Sequence, residues 1–353
     1  MRNRSNANQP NIVLNITNLK VKILSCFSFL ILSYIFFYIN PAIAKSIDSE
    51  KHIGISQIVE HPALNAVRES MLKSLKQQGF IEGKNLHVAY ENAQGNIITS
   101  TQIASKLLHA DPDVVVGIST SSAQTLFYEA RKFNKKIPIV FSAVSDPKSA
   151  KLVSNEGYPI TGITDTANLD GLLELINIMM PKLKTLGLMY NPAEINSVST
   201  IDRLKKLLKK HDIEFIEVTV NKTQDVAQAT KSLVGKVDAL YFPQDNTLVS
   251  AITTVVKIAT HSQIDPLPVI LPIFTSDPIL IKQGVLAAVG YDYEDMGKET
   301  AQVVARILNG ESADRIAIHN PSELKAVING SLAKKLKFII PKKLKYSNVQ
   351  VVN

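Results

Sequence analysis

The chain has 353 residues, of which 45% are hydrophobic and 20% charged. This composition suits one or two packed domains and excludes a disordered or collagen-like polymer. The net charge of +8 includes four basic residues and no acid within the first 44; the remaining +4 or so is scattered, which argues against nucleic acid as a partner.

Residues 1–44 read as a separate text. A polar, basic start precedes the uncharged run "ILSCFSFLILSYIFFYI" (23–39), then Asn-Pro and Ala42-Ile43-Ala44. This predicts a secretory signal peptide cut after Ala44, and hence an exported, periplasmic protein. The alternative is an uncleaved membrane anchor, since the run nearly reaches spanning length. Cys26 lies near the start of the apolar run, whereas a lipidated cysteine would follow it. It is the only cysteine, so a chain cut after Ala44 has no disulfide, thiol nucleophile or thiolate metal site.

Strands and helices then alternate. "HIGISQIV" (52–59) predicts a buried strand. Residues 62–79 predict a helix with Leu64, Val67, Met71 and Leu75 on one face, Pro62 in the first turn and Gly79 after the last. A strand "LHVAYE", a helix over 97–109, a strand "PDVVVGI" (112–118), a helix from near Ser121 and a strand "IPIVFSA" follow. The pattern restarts with a strand at 184–192, a helix at 198–211, a strand "EFIEVTV", a helix at 224–234, a strand "VDALYFP" and a helix at 247–261. "LPVIL" is the last strand of this set, and "GVLAAVGYDYEDMGKETAQVVARILNG" gives one more strand and helix. Such alternation implies parallel sheets covered by helices.

The two sets match in order. "IGISQIVEHP" pairs with "LGLMYNP", "DPDVVVGISTSSAQT" with "GKVDALYFPQDNTLV", and "IPIVFSAVSDP" with "LPVILPIFTSDP", at offsets of 133, 125 and 131 residues. Three echoes at near-equal spacing predict two similar Rossmann-like α/β lobes. The expected division is 45–163 for the first lobe, 164–288 for the second, and 289–353 for a return to the first and a C-terminal segment.

Ligands bind beyond the carboxyl ends of parallel strands, and two such ends can face one another across a cleft. The candidate ligand-binding residues there are Gln57, His61, Thr120, Ser121, Ser142 and Asp146 in the first lobe. In the second they are Asn191, Asn196, Ser197, Asp245, Asn246 and Asp277. For each one, helix capping alone is the competing reading. "STSSAQ" opens a helix whose free amides suit a carboxylate. Tyr291 and Tyr293 read as packing residues where the chain crosses between lobes. No glycine-rich phosphate loop follows a strand, no metal or hydrolase motif is present and histidines are dispersed. No cofactor and no metal are therefore expected, and catalysis is not.

From "IGISQIVEHPALNAVRESMLKSLKQQGFIEGKNLHVAYENAQGN" through "VFSAVSDP", "MYNPAEINS", "SLVGKVDALYFPQDNTLVSA" and "LAAVGYDYEDMGKETA", the chain resembles the substrate-binding proteins of ABC importers, in their TrpX-like, tryptophan-binding branch. The resemblance spans roughly 52–340. It implies a type I periplasmic binding protein, monomeric, with a hinge of several crossing segments. An amino acid, aromatic in the branch it resembles, would lie between the lobes and pass to a permease with its ATPase. By position, Ser121 and its neighbours would receive the ligand carboxylate, and Asp277 and Asp245 would pair with its ammonium. Asn191, Asn196, Ser197 and Asn246 would close from the second lobe, and Gln57 and His61 would border the side-chain pocket. The chain departs from the family pattern at "TSSAQ" and in the longer, more apolar "ILPIFTSDPILI". Two other readings stand beside this one: an anchored sensory domain, and an enzyme using Asp146 and Asp277 as an acid–base couple.

Overall fold

The computed structural model of the protein describes residues 50–153, 157–264, 267–345 and 347–353. The expected signal segment lies outside them. Among the described residues no helix is long and apolar enough to cross a membrane.

The first lobe is built from β1 (Lys51–Gln57), α1 (Pro62–Gln77), β2 (Leu86–Asn92), α2 (Ile97–His109), β3 (Val114–Ile118), α3 (Thr120–Lys132), β4 (Ile139–Val144) and β5 (Ile160–Thr164). Its strands run parallel in the order β2-β1-β3-β4-β5. The β3 and β4 strands are buried along their whole length, as a sheet covered on both faces requires. Val67, Met71 and Leu75 of α1 have no exposed surface. Burying each stabilises the lobe by roughly 1.5–3 kcal/mol.

The second lobe holds α4 (Leu169–Met179), β6 (Thr185–Tyr190), α5 (Ile195–Lys210), β7 (Glu214–Thr219), α6 (Val226–Leu233), β8 (Ala239–Phe242), α7 (Asn246–Ser250) and α8 (Ile252–His261). The ribbon β9 (Ser262–Ile264) with β10 (Leu267–Val269) follows, then β11 (Ile273–Thr275) and β12 (Ala287–Tyr291). The order β7-β6-β8-β11-β12 repeats that of the first lobe strand for strand. The type I binding-protein architecture of two similar parallel-sheet lobes is thus present.

Several local readings change. "LPVIL" does not supply the sheet strand: Leu267–Val269 pairs antiparallel with Ser262–Ile264, and β11 enters between β8 and β12 instead. The longest apolar run pointed to the wrong stretch, because a strand this short needs only three residues in register. The helix expected over 247–261 breaks at Ala251 into α7 and α8. The strand β5 and helix α4 have no counterpart in the sequence reading.

After β12 the chain returns as α9 (Tyr293–Leu308), which packs on α1 and shares the first lobe's core through Met296, Val304 and Leu308. The approach is close: a Cβ on Gly297 would stand 2.4 Å from the Val67 carbonyl oxygen. The chain then crosses again, and β13 (Leu324–Asn329), α10 (Gly330–Lys335) and β14 (Asn348–Val352) follow. These strands extend the second sheet, β13 lying antiparallel to β12, while Ala313 and Ile316 beyond α9 share the first lobe's core. Crossing segments are tied to each other: Asn320 Oδ1 accepts from the Thr164 hydroxyl and from Thr166 N at 3.2 Å.

Candidate functional site

The carboxyl ends of both sheets face a common cavity. From the first lobe it is lined by His61, Leu64, Ser119, Thr120, Ala143 and Ser145. Asp165 comes from the first crossing segment and Tyr293 from the second. Asn196, Gln244, Asp245, Asn246, Val249 and Asp277 come from the second lobe.

Local geometry explains why these side chains meet. Gly117 lets α3 start hard against β3, since a Cβ there would lie 2.7 Å from Ala123 Cα. Ser119 and Ala143, the residues that turn out of β3 and across the bulge in β4, hold φ of 94° and 57°. Such left-handed backbone costs a non-glycine residue about 1–3 kcal/mol and collects at ligand sites. Ser119 also caps α3, accepting from Ser122 N at 3.4 Å.

Of the sequence candidates, His61, Thr120, Asn196, Asp245, Asn246 and Asp277 line the cavity. His61 Nδ1 accepts from Leu64 N at 3.5 Å and caps α1, so its Nε2 carries the proton and donates across the cleft to Asn246 Oδ1 at 3.2 Å. Burial lowers its pKa to about 4, against the hydrogen bond to Asn246, which leaves the ring neutral. Asp245 is a buried cap, accepting from Asn191 N at 2.7 Å and Leu248 N at 3.0 Å. Its neighbour Glu194, overlooked in the sequence, accepts from both the amide N and Nδ2 of Asn246 and from Thr247. Burial raises both carboxyls, and their mutual repulsion raises Glu194 further.

Ser121 and Asn191 line a larger opening beside the cavity, which shares Asn246 with it. The other candidates face elsewhere. Gln57 is bound to Val59 O at 2.9 Å and Asn65 Oδ1 at 2.8 Å, and Arg68 holds its carbonyl. Ser142 bonds Thr300 of α9 at 2.8 Å. Ser197 is fully buried in α5 and lines neither space. Asp146 caps the turn at Ser149 (3.0 Å) and also accepts from Ser199 of the second lobe; burial pushes its pKa up, but those bonds outweigh it and hold the carboxyl below its ordinary value. It does not line the cavity with Asp277, so the acid–base couple has no geometry behind it.

Asp165 and Gln244 were also missed. Asp165 follows β5, and the same strand-end rule would have found it had that strand been recognised. Tyr293 does more than pack: its hydroxyl lies 3.2 Å from Asp165 Oδ2 and also bonds Asp277 Oδ1. Burial lifts Asp277 to about 7 and Asp165 to about 6. Four cavity-lining side chains are buried with an atom lacking a partner: Thr120 Oγ1, Asp165 Oδ1, Asn196 Oδ1 and Gln244 Oε1. Leaving a buried polar atom unpaired costs about 1–3 kcal/mol. Among the described residues no three His, Cys, Asp or Glu side chains converge closely enough to hold a metal ion.

A family model described as ABC transporter substrate binding protein matches residues 52–352. The chain belongs to this family. Among its relatives, this substrate-binding protein is 35% identical to a tyrosine-binding protein of Clostridioides difficile, over 87% of each chain. It resembles the structure of an ABC domain in complex with L-Trp from Streptococcus pneumoniae, with a TM-score of 0.78 at 28% identity, covering 86% of this chain and 100% of that one. A ligand-free, open substrate-binding protein with adhesive properties from Clostridium difficile gives a TM-score of only 0.62 at 36% identity, with the same coverage.

Proposed function

We propose that the cleft captures a free α-amino acid with an aromatic side chain, outside the cytoplasm, for delivery to a membrane permease driven by an ATPase. One observation carries the reading: the unpartnered atoms of the cavity divide by chemistry. Asp165, Asn196 and Gln244 offer only acceptors, beside the carboxylate of Asp277, and suit an ammonium group with its three donors. Thr120 offers a hydroxyl at the start of α3, where free amides and the helix dipole favour a carboxylate. Leu64, Ala143 and Val249 supply apolar wall, and the adjoining opening gives a larger side chain room. The names of the tyrosine-binding and tryptophan-bound relatives support the aromatic class.

Thermal unfolding of residues 50–353 with each of the common amino acids tests this. A ligand at 100 times its Kd adds about 2.7 kcal/mol. L-tyrosine or L-tryptophan should raise the Tm, and their deaminated analogues should not. A shift from sugars or purines and none from amino acids rejects the reading.

A further inference from the structure

Asp165, Tyr293 and Asp277 reach the cavity from three parts of the chain: the first crossing segment, the start of α9 and the end of β11. Tyr293 Oη is within hydrogen-bonding reach of a carboxyl oxygen on each side, 3.2 Å on the Asp165 side. A phenol has one proton and can donate to one of them. The second oxygen–oxygen contact needs another proton, or it is a repulsion between an oxygen lone pair and a carboxylate in a buried site. Asp165 lines the cavity with its Oδ1 buried, and the Ser145 hydroxyl beside the carboxyl works against burial by favouring the ionised form.

We propose that in the empty cleft Asp165 and Asp277 hold one proton between them across Tyr293, and that the ligand's ammonium group displaces it to solvent. This rests on the amino-acid reading above for the ligand, but not for the proton. Tyr293 is the positioning residue, holding the two carboxyls where one ammonium can meet both.

The surroundings favour a proton. Asp245 adds negative charge from the second lobe, and His61 is held neutral by burial. The Arg203 guanidinium donates to the Ala167 carbonyl at 3.2 Å, and its charge bears on Tyr241 rather than on Asp165 or Asp277. Tyr241 is turned to Ser276 at 3.0 Å, and Tyr291, half-buried, brings no cation. Burial lifts both Asp277 and Asp165 towards neutrality, and burial keeps the Tyr293 phenol protonated. Ligand affinity should therefore rise up to tenfold per pH unit below neutrality and level off above it, with the proton going to water and the ligand remaining an ammonium.

The test has two arms. In the ligand-free protein carrying ¹³C-carboxyl aspartate, with Asp165→Asn and Asp277→Asn giving the assignments, one carboxyl of the pair should still be protonated at pH 6. Both ionised at pH 5 overturns the proposal whatever the ligand is. Calorimetry with L-tyrosine and L-tryptophan at pH 6, in buffers of different ionisation enthalpy, should show release of about one proton per ligand, and none released overturns it. If neither amino acid binds, the aromatic reading fails and the first arm alone decides the proton. Tyr293→Phe keeps the ring. Because the phenol bond favours the ionised carboxyl, its loss should move the pH midpoint of binding upward. A uniform loss of affinity with an unmoved midpoint would mark the hydroxyl as structural only.

Discussion

Replacing Asp277 by Asn should make the empty protein more stable and a worse binder. Asp277 is 1% exposed, and burial lifts its carboxyl from 3.8 to about 7, opposed by the Tyr293 hydrogen bond and aided by Asp165 and Asp245. A folded-state value above the unfolded one means that folding favours the neutral form. That stability is fully present below about pH 4 and is lost as pH rises through about 7. Roughly three pH units at about 1.4 kcal/mol each put the loss near 4 kcal/mol by pH 8. An amide is neutral at every pH and still accepts from Tyr293 through its carbonyl oxygen. Asp277→Asn should therefore gain about 2–4 kcal/mol at pH 8 and nearly nothing at pH 4. Urea unfolding of ligand-free 50–353 at pH 4, 6 and 8 reads this directly. The same variant should lose about 10–100-fold in affinity for an amino acid, since a bond to a charged group contributes about 1.5–3 kcal/mol. A variant less stable than wild type at pH 8, or one that binds amino acids unchanged, would refute the reasoning.

Other outcomes follow from the same geometry. Thr120→Val removes a buried, unpartnered hydroxyl, so the empty protein should keep or slightly raise its Tm while amino-acid affinity falls about 5–10-fold in calorimetry. His61→Ala removes a cap of about 1 kcal/mol and the bond to Asn246 across the cleft; small-angle scattering should show the ligand-free protein more open. Gly117→Ala drives a methyl to within 2.7 Å of the α3 backbone, costing about 1–3 kcal/mol in urea unfolding and weakening binding by displacing Thr120.

The doubled lobe was legible because each half repeats short buried strands with a polar end, and the strand order bears the echo out. The sequence located the rim but not the direction of each side chain. Adjacent residues of a strand point to opposite faces, so Ser142 turns to Thr300 while Ala143 lines the cavity. Asp146 and Asp277 end equivalent strands. Ser149 and Ser199 claim the first, while Tyr293 holds the second. Asp165 was lost with β5, whose "ITGIT" is short and lacks the proline-flanked apolar run that marked its neighbours. Gln244 and Glu194 sat beside residues that were chosen, and nothing in their local pattern separates a ligand contact from a cap. That difference lies in which atoms remain unpaired after folding, which only the packed structure shows.

A crystal structure of residues 50–353 grown with L-tyrosine decides whether the cavity holds the α-amino and α-carboxyl groups of one amino acid. The amino group should lie within hydrogen-bonding distance of Asp165 and Asp277, and the carboxylate at Thr120 and the first turn of α3. An L-tyrosine bound with its amino group away from both aspartates, or a cleft that stays empty at saturating L-tyrosine, would contradict it.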